Sequence, residues 1–310
     1  MSRENCVSVI ITTYNSAEYI VTAIESVIKQ CSVNIEIIIV DDCSNDFKLL
    51  ECNVARYSDR YKITILQPEV KGNANISRNI GIKKAIYNYV AFLDADDTWN
   101  EQHLISCLHT MKEQSLDACF GRVNLIADQV VNKALPVYKT RTDICKFIFV
   151  HGGILVTSSL LIKKETLLSI SFDNNLFKHQ DWDFLIRYTH QFILGQSDYY
   201  GLNYSLSTGS NMSSTFNFNA SISFMNNTLP EQWHNIFITS TIKKIIDENR
   251  YCDLVVLRTN LNSRYKKTIN FLALNHQLIL LSAKSKVLFK TIYYGFRITN
   301  SIKNLIRLLK

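Results

Sequence analysis

The chain has 310 residues, 47% of them hydrophobic and 20% charged, enough for one large α/β domain with an appendage or for two small domains. Only 9 Gly and 3 Pro are present, which excludes long flexible linkers and leaves an ordinary soluble composition with a packed core. The net charge of +7 is uneven: residues 254–310 carry eleven Lys and Arg and no Asp or Glu, so residues 1–253 sum to −4.

The predicted elements alternate over the first 100 residues. Val7 to Ile11 is a short β-rich run that ends in polar Thr12-Thr13-Tyr14-Asn15. Ile20, Ala23, Ile24, Val27 and Ile28 then fall at helical spacing, with Asn15 or Ser16 expected as the cap. Ile35 to Val40 is nearly unbroken apolar sequence, as in a strand buried on both faces, and it ends in Asp41-Asp42. A polar helix from Asn45 to Ser58, a strand over Ile63–Leu66, a helix over Asn75–Tyr87 and a strand over Tyr89–Leu93 follow. That order predicts a parallel sheet with helices on both faces. Three strands end in polar runs, and ligands of open α/β sheets bind at that edge. Further on, Ala118–Ile126 and Ser159–Ile162 read as strands and Trp182–His190 as a helix; from Asn219 the pattern is mainly helical. The expected division is 1–215 (halves 1–115 and 116–215) and 216–310.

The eight cysteines are irregularly spaced and form no CxxC pair, so buried reduced thiols are expected rather than a zinc site or disulfide framework. The first apolar run is too short for a signal peptide, and no stretch reaches the roughly 20 apolar residues of a membrane span. A cytoplasmic location is the expectation.

Asp94-Ala95-Asp96-Asp97 closes the Tyr89–Leu93 strand. Three carboxylates in four residues repel one another, and a divalent cation with hard-oxygen preference would relieve that repulsion. The competing reading is a turn, with Asp97 or Asn100 opening the helix that holds Leu104 and Leu108. Taken with Val7–Asn15, Glu36–Asp46, Arg78-Asn79 before Gly81-Ile82, and Phe92–Trp99, the run resembles the family 2 glycosyltransferases of the inverting GT-A type over roughly residues 5–110. The resemblance implies an α/β, GT-A fold: a Rossmann-like, mostly parallel central sheet flanked by helices, here with a helical C-terminal extension. It also implies donor-binding roles for Thr12, Tyr14, Asn15, Asp41, Asp42, Arg78, Asp94 and Ala95. Asp42 would accept from a uracil N–H, and Arg78 would meet the base or diphosphate. Asp96, with Asp94 and Asp97, would hold Mn2+ or Mg2+. Pro usually stands in place of Thr12 in the family, and Gly in place of Cys43, so a different turn is expected after Asp42.

The family's catalytic base comes from a Glu-Asp pair before an aromatic residue and a helix. Here His179-Gln180-Asp181-Trp182-Asp183 matches it, with Asp181 as base, Gln180 replacing the Glu and Asp183 as fallback. The plain alternative has Asp181 capping the helix. His179 and His151-Gly152-Gly153 are candidates for the acceptor side.

Residues 284–310 read as a basic helix with an apolar side, suited to an anionic membrane interface or to packing on the domain. Nucleic acid is not expected, because no recognition motif accompanies the charge. The resemblance implies a nucleotide-sugar donor, a UDP-sugar above all. It also implies a saccharide acceptor linked to undecaprenyl diphosphate at the inner face of the membrane, in O-antigen or capsule assembly. A lipopolysaccharide-core or protein acceptor, or a nucleotide-sugar binder without turnover, are the alternatives. The missing G-x-G-x-x-G and Walker motifs disfavour a Rossmann dehydrogenase and a P-loop kinase.

Overall fold

The computed structural model describes residues 5–126, 130–131, 135–205 and 217–247. The basic segment 284–310 lies outside the described residues, as does Cys252. The chain divides into two compact units, 1–233 and 234–310.

The first unit is built on one sheet. Its strands are β1 (Cys6–Thr13), β2 (Asn34–Asp41), β3 (Ile63–Leu66), β4 (Tyr89–Asp94), β5 (Thr98–Trp99), β6 (Ala118–Ile126), β7 (Val130–Val131), β8 (Leu160–Lys163) and β9 (Leu194–Ser205). The helices are α1 (Ile20–Ile28), α2 (Phe47–Ser58), α3 (Ala74–Lys84), α4 (His103–Glu113), α5 (Ile144–Phe149), α6 (Gln180–Thr189) and α7 (Phe218–Asn227); α8 (Glu231–Asp247) starts in the first unit and continues into the second. The strand order is β3-β2-β1-β4-β8-β6-β9-β5, with β7 beside β6. β3, β2, β1 and β4 are mutually parallel, as the β-α-β order predicts. β8 is antiparallel between β4 and β6, while β6 and β9 run parallel. The sheet is thus α/β and mostly parallel, with an antiparallel join that the sequence pattern did not announce.

The unbroken apolar runs are fully enclosed. Val7, Val9, Ile10, Ile11, Ile39 and Val40 have no exposed surface, and Ile20, Ala23, Ile24 and Val27 of α1 pack into the same core. Burial at about 25 cal/mol per Å² makes this layer the main source of stability. Gly81 lets α3 sit directly on β1, since a Cβ there would lie 2.5 Å from Cγ2 of Ile10. That close approach places the adjacent Arg78 over the end of the sheet.

Two capping expectations need correction. α1 begins at Ile20, with Tyr19 as cap and no side-chain cap bond. Asn15 instead uses its side chain to accept from Asn45 N (2.8 Å), and Ser16 Oγ donates to Tyr14 O (3.0 Å), because residues 16–19 turn before the helix starts. Neither Asp97 nor Asn100 caps α4; Gln102 occupies that position without a side-chain bond. α3 stops at Lys84 because Ala85 is extended, and it is capped by Asn73, which accepts from Asn75 N and Ile76 N. The seven cysteines among the described residues are free thiols. Among the described residues no helix is long and apolar enough to cross a membrane.

Candidate active site

Register brings the polar strand ends together. Thr12 lies opposite Asp94 on β4, and Thr13 opposite Asp41 on β2. Thr12 Oγ1 donates to Asp94 Oδ1 at 2.6 Å, and Ala95 N donates to Thr12 O at 3.1 Å. Three stretches far apart in sequence therefore form one wall, set by strand pairing alone.

The two aspartates after β2 do different work. Asp41 is fully buried; it accepts from Ser44 N (2.9 Å), from Ser44 Oγ and from Gln67 Nε2 (3.0 Å), so it ties down the 43–46 turn. Cys43 in that turn has φ 59°, the left-handed conformation that glycine adopts without steric cost. Cys43 Sγ lies 3.3 Å from Pro68 O. Asp42 accepts from Gly72 N at 2.7 Å, and its other oxygen takes no bond from the described residues. Burial raises its pKa, with Gly72 N–H and Lys71 opposing. Tyr14 is 41% exposed and lies under Lys71, whose Nζ is 3.7 Å from the ring centroid. Lys71 had no signal in the sequence beyond being one of many lysines. Asn15 faces the 44–46 turn, its N donating to Ser44 Oγ at 2.8 Å.

The acidic run splits three ways. Asp94 is held by Arg78, whose Nη2 lies 3.0 and 3.2 Å from the two carboxylate oxygens. Asp97 points inward at 2% exposure, accepting from Ser205 N at 3.3 Å while its Oδ2 has no partner among the described residues. Burial, then the neighbouring Asp94 and Asp96, push its pKa well up, against the bonds from Ser158 and Ser205. Asp96 is half-buried. Among the described residues no three His, Cys, Asp or Glu side chains gather as a metal cage. A cation held by one or two carboxylates and completed by substrate phosphates and water, a common arrangement for Mg2+, needs no such cage.

Arg78 is buried, 3% exposed. Besides Asp94 it reaches Asn75 Oδ1 (3.4 Å) and Gln180 Oε1 (3.3 Å), and its guanidinium sits 5.5 Å from the Phe172 ring centroid. Asparagines of α3 and its cap clamp the segment that leads to α6. Asn73 Nδ2 donates to Asn174 O (2.7 Å), Asn75 Nδ2 to Asp173 O (2.6 Å) and Asn79 Nδ2 to Phe172 O (2.8 Å). Isolated asparagines carry no such pattern in sequence.

Asp181 is the second residue of α6 and does not cap it; His179, in the left-handed region at φ 60°, precedes the helix. Thr157 Oγ1 donates to Asp181 Oδ1, and the next residue, Ser158, accepts from Asp94 N at 3.1 Å. Two consecutive residues before β8 thus join Asp181 to the acidic run. Burial raises the pKa of Asp181 and Asp94 adds to this, while Arg78 and Thr157 oppose it. Asp183 is committed elsewhere: it pairs with Arg187 (Nε at 3.0 Å) and accepts from Thr228 Oγ1. His179 stacks on Trp182 with centroids 4.9 Å apart, and its Nε2 lies 2.9 Å from Ser221 Oγ. Gly152 has φ 69°, and a Cβ on Gly153 would lie 2.3 Å from Phe147 ring carbons. The turn and the ring contact account for both glycines. A cavity of about 660 Å³ lies at the other, C-terminal end of α6, between Tyr138, Arg141, Thr189, His190 and Trp233.

Residues 8–159 match the sequence profile of Glycosyl transferase family 2. The chain is similar to the amylovoran biosynthesis glycosyltransferase AmsB of Erwinia amylovora, 35% identical over 190 residues, which cover 58% of this chain and 62% of AmsB. It is 34% identical over 123 residues to the Escherichia coli UDP-Glc:alpha-D-GlcNAc-diphosphoundecaprenol beta-1,3-glucosyltransferase WfgD, covering 39% of this chain and 46% of WfgD. In both cases the match spans less than two thirds of the relative's length. Among solved structures, Staphylococcus aureus TarS 1-349 in complex with UDP-GlcNAc superimposes with TM-score 0.62 at 19% identity, over 94% of this chain and 92% of that one. That likeness is one of fold, the GT-A fold. Residues 8–159 form a glycosyltransferase family 2 domain.

Proposed function

We propose that this family 2 glycosyltransferase transfers a hexose or N-acetylhexosamine, with inversion, from a UDP-sugar to a saccharide acceptor carried on a lipid diphosphate, in surface-polysaccharide assembly. The observation that carries the reading is the Thr157-Ser158 step, which ties a half-buried carboxylate, Asp181, to the wall formed by Asp94, Thr12 and Arg78. In this reading Tyr14, Lys71 and the unbonded oxygen of Asp42 receive the nucleoside. Asp94 meets the ribose from a position fixed by Arg78 and Thr12. Asp96 is the residue assigned to Mn2+ or Mg2+, which when bound supplies charge neutralisation for the leaving diphosphate.

Asp181 serves as general base. As the acceptor oxygen bonds to the anomeric carbon, the bond from that carbon to the diphosphate oxygen breaks. Its electron pair leaves on the diphosphate, and the hydroxyl proton passes to Asp181. A base must be ionised before the step and able to take a proton during it. Burial with compensating bonds from Thr157 suits that task. WfgD, by its name, acts on a diphosphoundecaprenol-linked sugar and AmsB in amylovoran biosynthesis, which supports the acceptor class. The basic segment 284–310 supports attachment to the inner face of the membrane; unchanged liposome flotation after truncation at residue 283 would sink that part.

The test is a panel of radiolabelled UDP-sugars with a synthetic diphosphate-lipid saccharide, with and without Mn2+. One sugar should transfer, EDTA should abolish the transfer, and Asp181→Asn should lower kcat by about 10² to 10⁴-fold with UDP still bound. Near-normal turnover by Asp181→Asn would refute the base assignment, and full activity in EDTA the cation.

A further inference from the structure

We propose that Gln180, which stands where the family usually has a glutamate, is a positioning residue that fixes Arg78, the partner of donor-side Asp94, at the start of the helix that carries acceptor-side Asp181. The proposal rests on the reading of Asp181 as base. Gln180 is the first residue of α6 and the chain neighbour of Asp181. Its amide is used at both ends: Nε2 donates to Leu176 O at 2.9 Å, and Oε1 accepts from Arg78 Nη1 at 3.3 Å. A carboxylate can do only the second of these, and it would set an anionic oxygen against the Leu176 carbonyl.

The electrostatic setting gives the amide its importance. Arg78 is buried, and Asp94 is its carboxylate partner, with Nη2 reaching both carboxylate oxygens. The charged groups that face Asp181 are Arg78 from α3 and Asp94 from the end of β4; Thr157, before β8, contributes a neutral hydroxyl and N–H. On α6 itself, Asp183 is neutralised by Arg187. One buried cation is thus bonded to Asp94, and its charge also favours the ionised form of Asp181. A neutral residue at 180 fixes the guanidinium without claiming its charge, whereas a glutamate there would add a third carboxylate to share one arginine. The Leu176 bond further anchors the amide to the segment that Asn73, Asn75 and Asn79 clamp, so a chain of side-chain bonds links α3 to the start of α6.

The experiment follows the Asp181 carboxyl by 13C NMR in the full chain, with its resonance assigned by loss in Asp181→Asn. In Gln180→Glu the titration midpoint should rise by roughly one pH unit, the direction expected when a like charge is added beside a carboxylate. In Gln180→Met, which keeps the shape and removes both bonds, kcat with the UDP-sugar chosen by the panel should fall about tenfold. The UDP dissociation constant should stay within about twofold, since the loss is one of alignment. An unmoved midpoint in Gln180→Glu, or wild-type kcat in Gln180→Met, overturns the proposal. An active Asp181→Asn variant would instead defeat the base reading, and that result is read separately from the Gln180 titration.

Discussion

Replacing Thr157 by valine removes one hydroxyl and keeps the side-chain shape. In the wild type that hydroxyl donates to Asp181 Oδ1, and the Thr157 backbone adds a second bond that the substitution leaves in place. A hydrogen bond to a charged group contributes about 1.5–3 kcal/mol, which corresponds to roughly one to two pH units in a carboxyl midpoint. Thr157 favours the ionised form, against the burial that raises the pKa, so its loss moves the pKa further up. A base acts only when ionised, so the acidic limb of the kcat/KM profile should shift to higher pH by that amount. On the acid side the rate falls about tenfold per pH unit, while the alkaline plateau changes far less. Thr157→Ser keeps the hydroxyl and should restore the limb. Coincident limbs for Thr157→Val and wild type would refute the reasoning that this bond sets the ionisation of Asp181.

Tyr14→Ala should weaken UDP binding about tenfold by calorimetry with little change in Tm, since the ring is 41% exposed and stacked under Lys71; an unchanged Kd would remove Tyr14 from the nucleoside site. His103, at the start of α4, is fully buried with neither ring nitrogen bonded among the described residues, and burial lowers its pKa to about 3. The unfolded chain therefore takes up this proton first, so the contribution is intact above about pH 6.5 and is lost as pH falls from there toward 3. His103→Leu should flatten that part of the stability profile in urea melts, and parallel profiles for the two proteins would contradict it.

The strands and helices were legible where one periodicity dominated. Ile35–Val40 and the Ile20–Ile28 spacing fixed their elements because a doubly covered strand and a one-faced helix leave distinct patterns. The antiparallel β8 was seen as a strand but not placed, since four residues, Leu160–Lys163, carry no information about their neighbours. Helix starts were the weakest point: polar side chains such as Asn15 and Ser16 can cap a helix or tie a turn, and only the path of the chain decides.

The acidic run closing β4 and its convergence with Thr12 and Asp41 on one sheet edge followed from the sequence, because strand ends of a parallel sheet must share an edge. The division of labour within that edge came only with tertiary structure. Asp41 and Asp42 are adjacent and chemically identical, yet one is spent on Ser44 and Gln67 while the other keeps an oxygen unbonded. Asp94, Asp96 and Asp97 likewise separate into a residue clamped by Arg78, one half-buried and one buried with Oδ2 unbonded among the described residues. Sequence sets which charges are present and near which strand they fall. Which of them meet an arginine, a hydroxyl or the open crevice depends on contacts between residues as distant as Arg78 and Gln180, and those exist only once α3 has packed on β1 and the clamped segment has brought α6 to it.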